Sequence, residues 1–192
     1  MTEQFIKDIA RGQAGFIPIV KNADIQGKSW KIEEIYWLDL SKEWEIPKNF
    51  ISKDFQFYFG VFARNQMPKT KKTYGESYLC KTGKASFLWA DIDNISPADA
   101  KGLIKGAGLP APNYFINSGG GVHIYYLLDN PVDKIKITNL SKAIALKLKS
   151  DNSVCEFQKV MRLPNTKNSK YKDTFSQVVD YKKEYYSISL FE

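Results

Sequence analysis

The spacing of apolar residues changes along the chain, and each change predicts an element. In residues 2–10, Phe5, Ile6 and Ile9 recur at helical spacing, with Thr2 placed to cap a short helix. The run 16–20 is apolar and branched but contains Pro18, which cannot donate to a central ladder, so an edge strand is expected. Residues 30–38 and 55–63 are rich in aromatic and branched side chains and read as strands. Residues 65–84 break this pattern, and their lysines, with Gly75 and Gly83, suggest a mobile basic loop.

The second half has a more telling order. Residues 85–91 form a short apolar run suited to a buried central strand. Ser96 then caps a helix with Pro97 at its first position and Asp99 in its first turn, ending near Gly106 and Gly108. Residues 113–117 and 122–128 are strands joined tightly through Gly119-Gly120-Gly121. Residues 138–149 form a helix striped by Leu140, Ile144 and Leu148, and residues 175–181 supply a last strand. The order β-α-β-β-α-β is the split βαβ of ferredoxin-like and RNA-recognition folds. We therefore expect an α+β chain of two lobes folding as one unit, an amino-terminal α/β lobe over 1–84 and an RNA-recognition-like lobe over 85–192, with no linker or repeat between them.

Composition narrows the function classes. Only two cysteines, Cys80 and Cys155, and one histidine, His123, are present, so thiolate zinc sites and mechanisms that need a histidine pair are excluded. No apolar run reaches the ~18 residues of a membrane span, and the first residues lack the pattern of a secretory signal, so a cytoplasmic protein is expected. The formal charge of +7 with 14% aromatic residues fits a phosphate-rich partner, although an ordinary lysine-rich surface has the same sum.

Candidate chemistry concentrates after residue 90. Asp91 and Asp93 alternate to the same face of their strand, where two carboxylates repel unless a hard cation such as Mg²⁺ or Mn²⁺ lies between them. The same Asp-Ile-Asp followed by Asn94 can also be a plain turn into the next helix. The glycine run with Ser118 can cradle phosphate through backbone amides, or simply close a hairpin. His123 lies on the third strand of the split unit, next to the first, so it falls beside the acidic pair. Asp151 follows a helix C-terminus, an unfavourable place for an acid that a metal site would explain. Arg162 and the lysines of the Pro- and Asn-rich stretch after it offer phosphate ligands.

Taken in order, Leu88-Trp89-Ala90-Asp91-Ile92-Asp93, then Asn117-Ser118-Gly119-Gly120-Gly121-Val122-His123, then Asp151 ahead of Met161-Arg162-Leu163-Pro164-Asn165-Thr166-Lys167-Asn168, the chain resembles the archaeo-eukaryotic primase superfamily. Its closest look is to the primase-polymerase branch of plasmids, phages and other mobile elements. The resemblance implies a nucleotidyltransferase that joins NTPs or dNTPs on a DNA template, single-stranded or primed, in replication or repair. It implies Asp91, Asp93 and Asp151 as catalytic ligands of one or two Mg²⁺ or Mn²⁺ ions, with no zinc. Ser118, Gly119, Gly120, His123, Arg162, Asn168 and Lys170 would bind the nucleotide. A replicative helicase in cis or trans and a monomeric state go with that reading. Asn165 departs from the usual glycine, and Glu156 rivals Asp151 as third acid. The competing functions are a non-catalytic single-strand binder of RNA-recognition type and a metal-dependent nuclease.

Overall fold

A computed structural model describes residues 1–22, 30–68, 76–171 and 174–192. The elements are α1 (Thr2–Ala10), β1 (Phe16–Asn22), β2 (Ile32–Asp39), β3 (Gln56–Gly60), β4 (Lys84–Asp93), α2 (Pro97–Gly106), β5 (Tyr114–Asn117), β6 (Gly121–Asp133), α3 (Lys134–Lys147), β7 (Val160–Arg162), β8 (Lys167–Asn168), β9 (Thr174–Phe175) and β10 (Gln177–Tyr181). Two four-stranded sheets carry the molecule, ordered β2-β1-β3-β7 and β10-β5-β6-β4, with β8 and β9 as a small separate pair. The α+β class read from the sequence holds.

Helix α1 joins the two sheets. Phe5 meets Phe59 of the first sheet at 5.2 Å between ring centroids, and Tyr114 and Tyr125 of the second at 5.0 Å each. These edge-to-face contacts bury its apolar stripe on both sides at once. Asp8, on the same helix, accepts a hydrogen bond from the Tyr114 hydroxyl at 2.5 Å. Thr2 does not cap the helix, since Met1 occupies that position. Its hydroxyl donates instead to the Pro164 carbonyl at 3.1 Å, tying the helix to the stretch that follows Arg162.

Several expectations are corrected. Strand β1 is interior, paired to β2 on one side and β3 on the other, despite Pro18. The Phe16 amide points to the Arg64 carbonyl, so Pro18, two residues on, turns its nitrogen the same way. Gly60 lies there against the proline ring, where a Cβ would come within 2.6 Å of it. The ladder to β3 covers only Ile19–Asn22, so the missing donor falls in a gap. The division at residue 84 is also crossed, because β7 pairs with β3 in the first sheet. The last strand joins β5 on the edge opposite β4, whereas a split βαβ unit sets its last strand beside its first. The edge of β4 is covered by α3, whose Ser141 hydroxyl takes the Trp89 amide at 3.2 Å.

Helix α2 starts as its sequence directs, with the Ser96 hydroxyl accepting from the Asp99 amide at 3.2 Å. Helix α3 begins earlier than expected because Asp133 caps it through the Ile135 amide. Its buried face runs through Ile137, Ser141, Ile144 and Leu148, and Leu140 is only partly covered. In the expected basic loop, a short helical turn occupies Ser77–Cys80, and residues 69–75 lie outside the described residues. Among the described residues no helix is long and apolar enough to cross a membrane.

Candidate active site

The strand register assembles the first wall of the site. In the antiparallel β4–β6 pair, Asp91 lies opposite His123 and Asp93 opposite Gly121. Directly paired residues share a face, so the two acids and the imidazole converge. His123 Nε2 stands 3.5 Å from Asp91 Oδ1. Both side chains are largely covered, and Asp91 Oδ1 and His123 Nδ1 are buried without a hydrogen-bond partner among the described residues.

The electrostatics follow from that burial. The Asp91 carboxyl is pushed up to about 7, first by loss of solvent and then by the charges of Asp93 and Asp151, with Arg162 and Lys170 pulling the other way. Burial, aided by the Arg162 charge, takes His123 down to about 3, so near neutrality it is an uncharged imidazole. An orphaned, desolvated carboxylate next to a second carboxylate is what a hard cation would relieve. Among the described residues no group of three or more His, Cys, Asp or Glu side chains is arranged around one ion position. Mg²⁺ is commonly held by one or two carboxylates plus substrate phosphates, and Asp91 with Asp93, open to a cleft, fits that pattern.

The cleft has a volume of about 180 Å³ and takes lining from both sheets. Besides the acids and His123, the lining includes Tyr58, Arg162 and Lys170, together with Ser118, Gly120, Asn168 and Tyr171. Arg162 is fixed by three bonds of 2.9 Å, to Gln56 Oε1, the Lys167 carbonyl and the Tyr58 hydroxyl. Its guanidinium carbon lies 4.8 Å from the Tyr58 ring centroid. One wall is therefore anionic and the other cationic, a polarity suited to a cation–phosphate complex lying between them.

The glycine turn is built differently from a bare amide cradle. The Gly119 amide is engaged by Asn117 Oδ1 at 2.9 Å, and its φ of +93° is one that L side chains rarely adopt. The Ser118 amide bonds to the Gly121 carbonyl at 2.9 Å. Asn168 is buried, and its amide donates to the Ser118 carbonyl at 2.6 Å, so it positions the turn from within the cleft wall. Tyr171 covers Gly120 so closely that a Cβ there would fall 2.2 Å from the ring. The turn at Asn165 survives its departure from glycine, because asparagine accepts the left-handed φ of 62° found there.

Asp151 does not line the cleft. It starts the short helical turn Asn152–Val154, accepting from the Ser153 amide at 2.7 Å and hydroxyl at 2.8 Å. Those bonds hold its carboxyl below the usual range and account for an acid after α3 without a metal. Its charge is nevertheless felt at Asp91. Glu156 is bound to Gln158 Nε2 at 3.1 Å and lies 3.5 Å from the Lys142 ammonium, also outside the lining. Sequence reasoning missed Tyr58, Tyr171, Val154 and Val160. Tyr58 lies in an aromatic strand with no signal of its own, and Tyr171 just beyond the motif.

No protein-family model and no curated protein sequence matches the chain. Solved structures do match in fold. The archaeo-eukaryotic primase (AEP) domain of the cyanophage S-2L primase-polymerase superposes with a TM-score of 0.71 at 15% identity, over 98% of this chain and 93% of that one. Primase RepB′ gives 0.59 at 11% identity, over 100% of this chain and 61% of that one. The catalytic domain of RepB′, solved in complex with initiator DNA, gives 0.59 at 12% identity, over 99% and 91%.

Proposed function

We propose that this chain, which has the fold of the archaeo-eukaryotic primase domain of primase-polymerases, is a DNA-templated nucleotidyltransferase that joins nucleoside triphosphates. The observation that carries the reading is the Asp91–His123 register, which sets an unsatisfied buried carboxylate and its neighbour Asp93 across a cleft from Arg162 and Lys170. A binding module has no use for that arrangement.

Asp91 and Asp93 would hold Mg²⁺ or Mn²⁺, with Asp151, which lies outside the cleft lining, as the third carboxylate expected from the family resemblance. Such an ion, when bound, neutralises phosphate charge and makes the attacking hydroxyl more acidic. The neutral His123 imidazole offers a hydrogen bond to the triphosphate without adding charge beside the acids. Arg162, fixed by its three partners, presents a preorganised positive charge to the phosphate oxygens, and Lys170 adds a second. Asn168 holds the Ser118–Gly120 turn beside them through its bond to the Ser118 carbonyl.

The test is incorporation of labelled nucleotide on a single-stranded or primed DNA template with Mn²⁺ or Mg²⁺, with pyrophosphate measured in parallel. The wild type should incorporate and release pyrophosphate, which a nuclease would not. Asp91→Ala with Asp93→Ala should lower the rate by at least about a hundredfold. Wild-type incorporation by that double variant would overturn the assignment.

A further inference from the structure

Next to the Asp91–His123 pair, the sheet buries polar atoms that packing leaves unsatisfied. Trp89 lies directly opposite Tyr125 in the β4–β6 ladder, and strand alternation puts Trp89, Asp91, His123 and Tyr125 on one face. Trp89 and Tyr125 are fully buried. The Tyr125 ring is packed 5.0 Å from Phe5 and 6.3 Å from Phe59 between centroids. Those contacts account for the ring but not for the hydroxyl, because a buried phenol ordinarily finds a hydrogen-bond partner. Trp89 Nε1, the Tyr125 hydroxyl, Asp91 Oδ1 and His123 Nδ1 each lack one among the described residues.

The chemistry of these atoms runs in one direction. An indole N–H only donates, an ionised carboxylate only accepts, and a phenol does both. Tyr125 stands between the other two, as direct partner of Trp89 and diagonal neighbour of Asp91, a separation that aromatic side chains span. Burial first, and then the Asp91 charge, hold the Tyr125 hydroxyl well above the usual range of a phenol. His123 Nδ1 is a rival acceptor, but a hydrogen bond to a charged oxygen is the stronger.

We propose that Tyr125 is a positioning residue for Asp91: its hydroxyl, taking the Trp89 indole N–H, donates to Asp91 Oδ1 and fixes the carboxylate that faces the cleft. The torsion that turns an aspartate carboxylate is soft, so the group can turn to the hydroxyl at small cost. Carboxylates that hold a metal are commonly oriented by such a donor behind them. This inference deepens the nucleotidyltransferase reading and rests on it for the cation that Asp91 would meet.

The test titrates Mn²⁺ alone into the protein and follows the free ion by electron paramagnetic resonance, with thermal midpoints measured on metal-free samples. The wild type should bind the ion, and Asp91→Asn should not. Tyr125→Phe keeps the ring and removes only the hydroxyl, so the midpoint should hold while Mn²⁺ binding weakens about tenfold. Tyr126→Phe is the control. Tyr126 packs on the opposite face, against Tyr186 and Phe191, and its hydroxyl is also buried without a partner. Its removal should leave Mn²⁺ affinity at the wild-type value. Unchanged affinity in Tyr125→Phe, or equal loss in both variants, would overturn the proposal. So would a loss accompanied by a lower midpoint, which would make the hydroxyl a structural group. A wild type that takes up no Mn²⁺ strikes the cation site itself and the proposal with it, whereas the Tyr125 variant strikes the positioning role alone.

Discussion

The two walls of the cleft are built by opposite kinds of contact. The acidic wall comes from one antiparallel strand pair, in which Asp91 and Asp93 lie opposite His123 and Gly121. The cationic wall is assembled at long range. Arg162 leaves the second half of the chain on β7, enters the first sheet opposite Tyr58, and is held there by Gln56 and Tyr58, more than a hundred positions earlier. The first wall is fixed by that single strand pairing and carries desolvated charge with unmet hydrogen-bonding capacity. The second satisfies its charge internally and offers what remains. The proposed reaction would use both, but damage to each should look different.

The largest remaining effect should come from Asp151, which lines neither wall but whose charge reaches Asp91. Asparagine caps a helical turn about as well as aspartate, so Asp151→Asn should leave the thermal midpoint unchanged. If the acid completes the cation site, incorporation should still fall by about a hundredfold, and the Mn²⁺ requirement should rise. A fall of only a few-fold would confine the site to Asp91 and Asp93, with Asp151 acting through its charge at a distance.

Arg162→Lys is expected to have an intermediate effect. An ammonium keeps the charge but cannot reach Gln56 Oε1, the Lys167 carbonyl and the Tyr58 hydroxyl together. The variant should lose roughly 1.5–3 kcal/mol of stability, the scale of a hydrogen bond to a charged group. The nucleotide KM should rise about tenfold, with a smaller change in kcat. An unchanged stability would mean that the cationic wall does not depend on its internal bonds.

This contrast also explains what could be read from the sequence. Asp91, Asp93 and His123 were legible because strand alternation and one pairing rule fix their relation. Ser96 and Pro97 announced α2 through local capping chemistry alone. The sequence pattern could not reveal that β7 crosses to the first sheet, that β10 joins β5, or that Pro18 fits an interior strand beside Gly60. Each depends on a partner distant in sequence. Tyr58 and Tyr171 were missed for the same reason, since nothing near them in the chain marks a tyrosine that faces a cleft. Asp151 was read as out of place after a helix, because the turn it caps is too short to give a periodic signal.

The smallest effect, and the finest test of the comparison, concerns Gly120. A phosphate cradle and a packing turn both require glycine there, but for different reasons. A cradle needs close approach of a ligand to the backbone, while the structure has the Tyr171 ring 2.2 Å from the position a Cβ would take. Gly120→Ala should therefore push the ring aside, costing about 1 kcal/mol in thermal stability and a few-fold in nucleotide KM. Adding Tyr171→Ala gives the methyl room, so the double variant should be no less stable than Tyr171→Ala alone. If KM recovers with stability, the glycine serves the packing of Tyr171. If stability recovers while KM stays raised, the Ser118–Gly120 turn meets the nucleotide directly, and the acidic wall extends its reach to the phosphates.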